Sequence, residues 1–267
     1  MKSNKEKSPF PRIVYFSDER NDEFSSAKIT PKKIDGSYKY KRDKGVGRVI
    51  CFFLYRIVAT PLAFFYLKLK FRHKIVGKEK LKAVKKGQGF FVYANHTQAI
   101  ADALIPSFVS FPHKAYVIVH ANNVSMPVLG ALTPYMGALP LPDTQSAARS
   151  FNLAVGERIE EGRAVFIYPE AHIWPYFTGI RNFSSESFYY PVKYSTPVFC
   201  FTNTYKKRRS NKRVKIVTYI DGPFYPDKDI SPLEGRQVLR DRIYEAMKIR
   251  ATSSDTVLVE YRKAEEA

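Results

Sequence analysis

The chain has almost no cysteine: two among 267 residues, Cys51 and Cys200, far apart and each in an apolar run. That excludes a disulfide framework, implies free buried thiols and points to a cytosolic setting. A glycine-rich phosphate loop, a Cys/His metal spacing and a dinucleotide fingerprint are also missing, so no metal and no cofactor is expected. No secretory signal is legible, because the first 45 residues are polar and the first apolar run begins only near Val49. Acid is scarce as well. Against 44 Lys+Arg stand 25 Asp+Glu, a formal net charge of +19, which calls for a polyanionic partner such as an anionic membrane, an acidic protein or nucleic acid.

The basic excess is unevenly spread. Between Gly89 and Thr204 six basic residues (Lys114, Arg149, Arg158, Arg163, Arg181, Lys193) meet seven acidic ones. Residues 68 to 88 carry nine Lys/Arg with Glu79 the one acid, and residues 205 to 216 carry seven and no acid. Just before the first cluster, Val49 to Leu67 is a 19-residue apolar run with one charge, Arg56, and one helix breaker, Pro61. A bilayer span needs about 20 apolar residues, and an arginine near its centre costs roughly 2.5 to 3.5 kcal/mol. A hairpin of two short interfacial helices hinged at Thr60-Pro61 is therefore expected, with Phe52, Phe53, Phe64 and Phe65 as an aromatic wedge. Lys68, Lys70 and Arg72 follow as a collar for anionic lipid headgroups, each contributing about 1 kcal/mol near such a surface. The competing reading is a core helix followed by a solvated basic strand.

Residues 1 to 45 read as a polar arm without sustained periodicity. From residue 79 onward, helical patterns near 79–86, 98–108, 146–162 and 231–250 alternate with β-rich runs at 89–94, 114–120, 164–168, 197–203, 213–220 and 256–261. The alternation predicts an α/β fold: a mixed, largely parallel sheet covered by helices, with the interfacial hairpin N-terminal to it. The last helix has a start signal in Ser231-Pro232-Leu233-Glu234, an N-cap with Pro at the first helical position and Glu at N3.

Two strand ends carry chemistry. The apolar run Phe90 to Ala94 leads into Asn95-His96-Thr97-Gln98, with Asp102 beyond. Histidine is the side chain suited to general base work near neutrality, and a carboxylate beside it fixes the tautomer and stabilises the imidazolium. Six residues turn about 240° around a helix axis, so the pair can meet only if His96 lies in the turn before a helix and Asp102 points back from its first turns. Thr97 is placed to cap that helix. The run Ala164 to Tyr168 is closed by Pro169-Glu170-Ala171-His172 and ends on the same sheet edge, where open α/β sheets bind ligands. Glu170 alone also fits a helix-capping or solvent-facing acid.

The series Asn95-His96-Thr97-Gln98 and Asp102, Tyr168-Pro169-Glu170-Ala171-His172, and Ser195-Thr196-Pro197-Val198 resembles the PlsC-like glycerolipid acyltransferases, the 1-acylglycerol-3-phosphate acyltransferase family. The resemblance covers roughly residues 48 to 225. It implies His96 as general base, Asp102 as its orienter, and Glu170 with Ala171 and His172 as a wall of the acceptor site. Departures stand beside it. Five residues rather than four separate His96 from Asp102, Glu170-Ala171-His172-Ile173 replaces a Glu-Gly-Thr-Arg block, and Gly137 to Asp143 lacks the arginine of a second block. Two phosphate-binding positions are thus unfilled, with Arg149, Arg181, Lys193 and His172 as substitutes, while Arg158 and Arg163 read as solvated surface.

The implied reaction is acyl transfer from acyl carrier protein or acyl-CoA to a lysophospholipid or glycerol-phosphate hydroxyl, with 1-acyl-sn-glycerol-3-phosphate first among acceptors. The thioester is a co-substrate and no enzyme nucleophile is needed; Cys200 has no base beside it. On this reading residues 75–267 are the acyltransferase domain and 46–74 its membrane-associating segment on the cytoplasmic face of the cell membrane. The basic patch at 206–215 suits an acidic carrier protein. One alternative keeps the chemistry but gives it an acceptor without phosphate. Another is a non-catalytic basic module binding anionic membrane or nucleic acid. Against that module, the aromatics cluster in the apolar run and the strands rather than among the basic residues, so no nucleic-acid partner is expected.

Overall fold

The computed structural model describes residues 11–24, 29–208 and 214–264. Among them are strands β1 (Arg12–Phe16), β2 (Lys74–Val76), β3 (Phe90–Ala94), β4 (Ala115–Val119), β5 (Ala138–Pro140), β6 (Ala164–Ile167), β7 (Val198–Lys207), β8 (Val214–Phe224) and β9 (Val259–Lys263). Seven form one sheet in the order β2-β8-β7-β3-β6-β4-β5. From β7 to β5 every pairing is parallel, β8 runs antiparallel to β7, and β2 is parallel to β8. The sheet is mixed and largely parallel, as the alternating pattern predicts.

Every residue of β3 and β6 is buried, the signature of central strands covered on both faces. Alternate side chains feed two cores. Phe91, Tyr93, Val165 and Ile167 pack with the helices Gln145–Glu160 and Pro232–Ala251 on one face. Phe90, Val92, Phe166 and Phe199 pack on the other with Ile105 of the helix Ala101–Val109 and with Leu67 and Phe71 of the apolar segment.

That apolar segment corrects the hairpin expectation. Val46–Phe71 is one continuous helix of 26 residues, long and apolar enough by length and composition to cross a membrane. Its middle, Phe53–Ala59, is wound as a π-helix. Proline normally breaks a helix because it lacks an N–H and its ring strikes the carbonyl one turn back. Here the wide turn just before Pro61 makes room, and the Thr60 hydroxyl donates to the Tyr55 carbonyl at 2.7 Å. Cys51, Tyr55, Ala63, Leu67 and Phe71 face the domain, whereas Val49, Phe52, Phe53, Leu62, Phe65 and Leu69 are exposed.

Other expectations shift in detail. The run near 79–86 is a 3-10 helix, Lys78–Ala83, and the helix expected from residue 98 begins at Ala101. The C-terminal strand does not join the large sheet: β9 pairs in parallel with β1, so the N-terminal arm contributes a strand. Arg158 is buried, not solvated, within reach of Asp43 (3.5 Å) and Glu161 (3.2 Å) and stacked over Tyr116. Both cysteines are free and buried. Ser231 caps the last helix as its sequence signals, accepting from the Glu234 N–H at 3.3 Å. Of the basic patch at 206–215, residues 209–213 lie outside the described residues.

Candidate active site

β3 and β6 run parallel in register, Tyr93 beside Ile167, so the turns after them open on one edge. β7 pairs with β3 up to Ala94 beside Phe201 and then continues, so Thr202 to Tyr205 rise beyond that edge as a wall. Asn95 extends the ladder with its side chain. Its Nδ2 donates to the Asn203 carbonyl at 3.0 Å and its Oδ1 accepts the Asn203 N–H at 2.8 Å. The next two carbonyls, of His96 and Thr97, accept the N–H groups of Trp174 (3.1 Å) and Tyr176 (3.0 Å) from the turn after β6. A turn without regular structure is thereby fixed on both sides.

Within it, Nδ1 of His96 lies 2.9 Å from Oδ2 of Asp102. Asp102 stands in the first turn of the helix Ala101–Val109 and is fully buried. Its Oδ2 also accepts the N–H groups of Thr97 and Gln98, both at 2.7 Å, and its Oδ1 accepts from Nδ2 of Asn203 at 3.2 Å. Thr97 does not cap the helix as expected; Asp102 reaches back to its N–H instead, and the Thr97 hydroxyl takes the Tyr205 phenol at 2.8 Å. Because a carboxylate only accepts, the Asp102 contact puts the neutral ring's proton on Nδ1 and leaves Nε2 as its basic nitrogen. Among the described residues nothing bonds Nε2. The imidazole stacks on Tyr168 with centroids 4.4 Å apart, and 18% of the side chain remains exposed, enough for a substrate to reach it.

Glu170 does something other than form an open wall. Its side chain is fully buried: Oε2 accepts the His96 N–H at 3.1 Å and faces the Arg181 guanidinium at 3.3 Å, while Oε1 accepts the Arg181 N–H at 3.1 Å. Burial pushes the Glu170 carboxyl up, opposed by Arg181 and by the two backbone donors. Arg181 is 1% exposed, bonds the His172 carbonyl as well and stacks over Trp174 at 4.8 Å. The expected phosphate substitute is therefore occupied in tying the β6 turn to the backbone of His96. Ala171 holds φ 63°, in the left-handed region that favours glycine. His172 is half-buried and pairs with Glu23 at 3.1 Å.

The remaining cations nominated from sequence do not join the dyad. Arg149 is exposed on the helix covering the opposite face of the sheet. Lys193 is exposed beside Tyr189 and Tyr194, on a short helix of that same face. Cys200 is buried inside β7, and burial pushes its thiol far up, which suits packing rather than nucleophilic attack. Tyr168, Asn203 and Tyr205 line the dyad without having been singled out. Tyr168 belongs to the Tyr168-Pro169-Glu170 run, and Thr202-Asn203-Thr204 is a polar triplet directly after the apolar run Val198 to Phe201, a signal of partners elsewhere. No group of residues suited to hold a metal ion occurs among the described residues.

Residues 72–202 of this α/β fold, which carry His96, Asp102 and Glu170, match the Acyltransferase family model. The chain carries an acyltransferase-family domain of PlsC-like fold, and the protein is an acyltransferase. The family match sets aside the non-catalytic reading. Among solved structures, the 1-acyl-sn-glycerophosphate (LPA) acyltransferase PlsC from Thermotoga maritima superposes with a TM-score of 0.54 at 18% identity, over 80% of this chain and 86% of that one. No curated protein sequence matches the chain.

Proposed function

We propose that the protein is a membrane-associated glycerolipid O-acyltransferase in which His96 is the general base. The observation that carries this reading is the 2.9 Å contact of His96 Nδ1 with buried Asp102, which leaves Nε2 as the basic nitrogen at the strand edge. Nε2 takes the proton of an acceptor hydroxyl as its oxygen attacks the thioester carbonyl of acyl carrier protein or acyl-CoA. The tetrahedral intermediate collapses with cleavage of the C–S bond, and the proton passes from His96 to the departing thiolate. Asp102 stabilises the imidazolium between these steps. Glu170 and Arg181 support the dyad by holding the His96 backbone rather than by touching the acceptor.

The exposed apolar face of Val46–Phe71 with its basic collar supports docking on an anionic membrane at the cytoplasmic face, where a lysolipid acceptor resides. Lysophosphatidate is the first acceptor this reading predicts. A specific observation favours a second: Arg181 is buried against Glu170, and Arg149 and Lys193 lie on the other face, so an acceptor without phosphate fits the described site equally well. Purified protein in anionic vesicles, supplied with acyl-CoA or acyl carrier protein thioester and a panel of lysolipids, separates the two by product mass. Phosphatidate as the dominant product supports the first; acylation of neutral lysolipids or diols in preference to lysophosphatidate supports the second. Absence of any transfer to a lipid hydroxyl would remove the glycerolipid assignment.

A further inference from the structure

Behind Asp102 the sheet carries a polar chain that the reaction described above does not use. Nδ2 of Asn203 is 3.2 Å from Oδ1 of Asp102, the Thr218 hydroxyl is 2.6 Å from Oδ1 of Asn203, and Nε2 of His73 is 2.7 Å from Oγ1 of Thr218. Asp102, Asn203, Thr218 and His73 are all buried, none more than 3% exposed. Strand register brings them together although they are remote in sequence. Asn203 of β7 pairs with Thr218 of β8, and Thr218 pairs with Ile75 of β2, two residues past His73.

The direction of each bond follows from chemistry. The Asp102 carboxylate only accepts, so Asn203 turns its amide nitrogen to it and is left with an acceptor oxygen toward Thr218. Thr218 has one hydroxyl proton, which goes to Asn203, so it must accept from His73. Nε2 of His73 therefore carries a proton, and its buried Nδ1 finds no partner among the described residues. Burial holds His73 down to about 4, which keeps it neutral and in this donor role near neutral pH. Every hydrogen bond in the chain points toward Asp102, and bonds aligned in this way polarise one another. His73 directly follows Arg72, the left-handed cap of the apolar helix, and its N–H bonds the Leu67 carbonyl, so the chain ends where that helix joins the sheet.

We infer that Asn203, Thr218 and His73 are positioning residues of the acyl-transfer reaction, holding the Asp102 carboxylate behind His96 through a one-way chain of hydrogen bonds. The inference rests on His96 acting as the base. Tyr168, Glu170 and Arg181 from the β6 turn, and Tyr205 from β7, also face the dyad, and none of them belongs to the chain. A carboxylate deprived of its Asn203 donor holds the imidazolium proton more tightly. Loss of the chain thus slows turnover and moves the ascending limb of the pH–rate profile to higher pH.

The test compares Thr218→Val with Thr218→Ser, and His73→Leu with His73→Gln, in the full chain on anionic vesicles, measuring kcat, KM and kcat against pH per folded molecule. Thr218→Val is expected to lower kcat about tenfold with little change in KM and to move the limb upward, a magnitude typical of groups that orient a reacting residue's partner. Thr218→Ser keeps the hydroxyl and restores both rate and profile. His73→Gln presents an amide nitrogen near the former Nε2 and recovers what His73→Leu loses; this pair decides alone if Thr218→Val does not fold. Equal rates and profiles for the apolar and polar variants at both positions would overturn the inference. His96→Ala in the same assay separates the two claims. If it is inactive while the chain variants match wild type, only the positioning role falls; if it turns over at the wild-type rate, both fall.

Discussion

Oδ2 of Asp102 accepts three donors at once: Nδ1 of His96 at 2.9 Å and the N–H groups of Thr97 and Gln98 at 2.7 Å. In Asp102→Asn the amide oxygen must stay at that position, because both backbone donors face it. The tautomer of His96 then survives, while the negative charge is lost and the amide nitrogen now in the Oδ1 position can no longer accept from Nδ2 of Asn203. The expected result is a fall in kcat of about 100-fold with KM nearly unchanged, within the range that general base catalysis contributes. Steady-state kinetics on vesicles checks it, and a loss of less than about threefold would mean that the charge on Asp102 does not serve the reaction.

Glu170 and Arg181 form a buried pair at 3.3 Å, and removing one partner leaves the other charged and unpaired. Glu170→Gln is expected to destabilise the fold by about 3 kcal/mol. The double variant Glu170→Gln with Arg181→Met should recover part of that loss. Urea denaturation of Glu170→Gln, Arg181→Met and the double variant measures the coupling; additive losses would show that the pair is independent.

His73 links stability to acid. An unfolded histidine binds a proton near 6.5, whereas burial holds His73 down to about 4. Its neutral form therefore contributes stability that is present above about 6.5 and lost as pH falls toward 4, on the order of 3 kcal/mol in all. His73→Gln removes that dependence, so its stability should fall less steeply than that of the wild type between pH 7 and pH 4.5. Parallel curves in urea titrations at several pH values would contradict the burial of an uncharged His73.

Phe52, Phe53, Phe64 and Phe65 are each at least 40% exposed along the apolar helix. Full burial of such a side chain is worth about 1.5 to 3 kcal/mol, so replacing all four by serine should reduce partitioning onto anionic vesicles by well over tenfold. Exchanging Lys68, Lys70 and Arg72 for glutamine should instead remove most of the salt dependence of binding. Sedimentation of vesicles at low and high salt reads both effects, and unchanged partitioning of the phenylalanine variant would reject this face as the membrane contact.

What the sequence makes legible follows from the range of the interactions. β3 and β6 stand out because strands buried on both faces are continuously apolar, and the turns behind them announce themselves with Asn95-His96 and Pro169-Glu170. The His96–Asp102 contact spans six residues, so the geometry of one turn suffices to anticipate it. As a cation in a near-neutral stretch Arg181 reads as a phosphate ligand, but its burial against Glu170 depends on how the chain returns after β6. Asn203, Thr218 and His73 meet Asp102 only through sheet register, with up to 145 residues between bonded partners, and no local pattern encodes that. Pro61 signals a break only where the preceding turn is regular α-helix, and the π-helical turn Phe53–Ala59 before it lets the helix run on through Val46–Phe71. β2 and β5, three residues each, are too short to show a period.

The role of His96 as general base is tested most directly by the turnover of His96→Ala, measured as thioester consumption and acylated lipid formed on anionic vesicles at equal folded concentration. Nε2 of His96 is the basic nitrogen that the Asp102 contact exposes to the acceptor, so the variant should lose at least about 100-fold in kcat while binding vesicles as the wild type does. Turnover within a fewfold of wild type would contradict the assignment of His96 as the base.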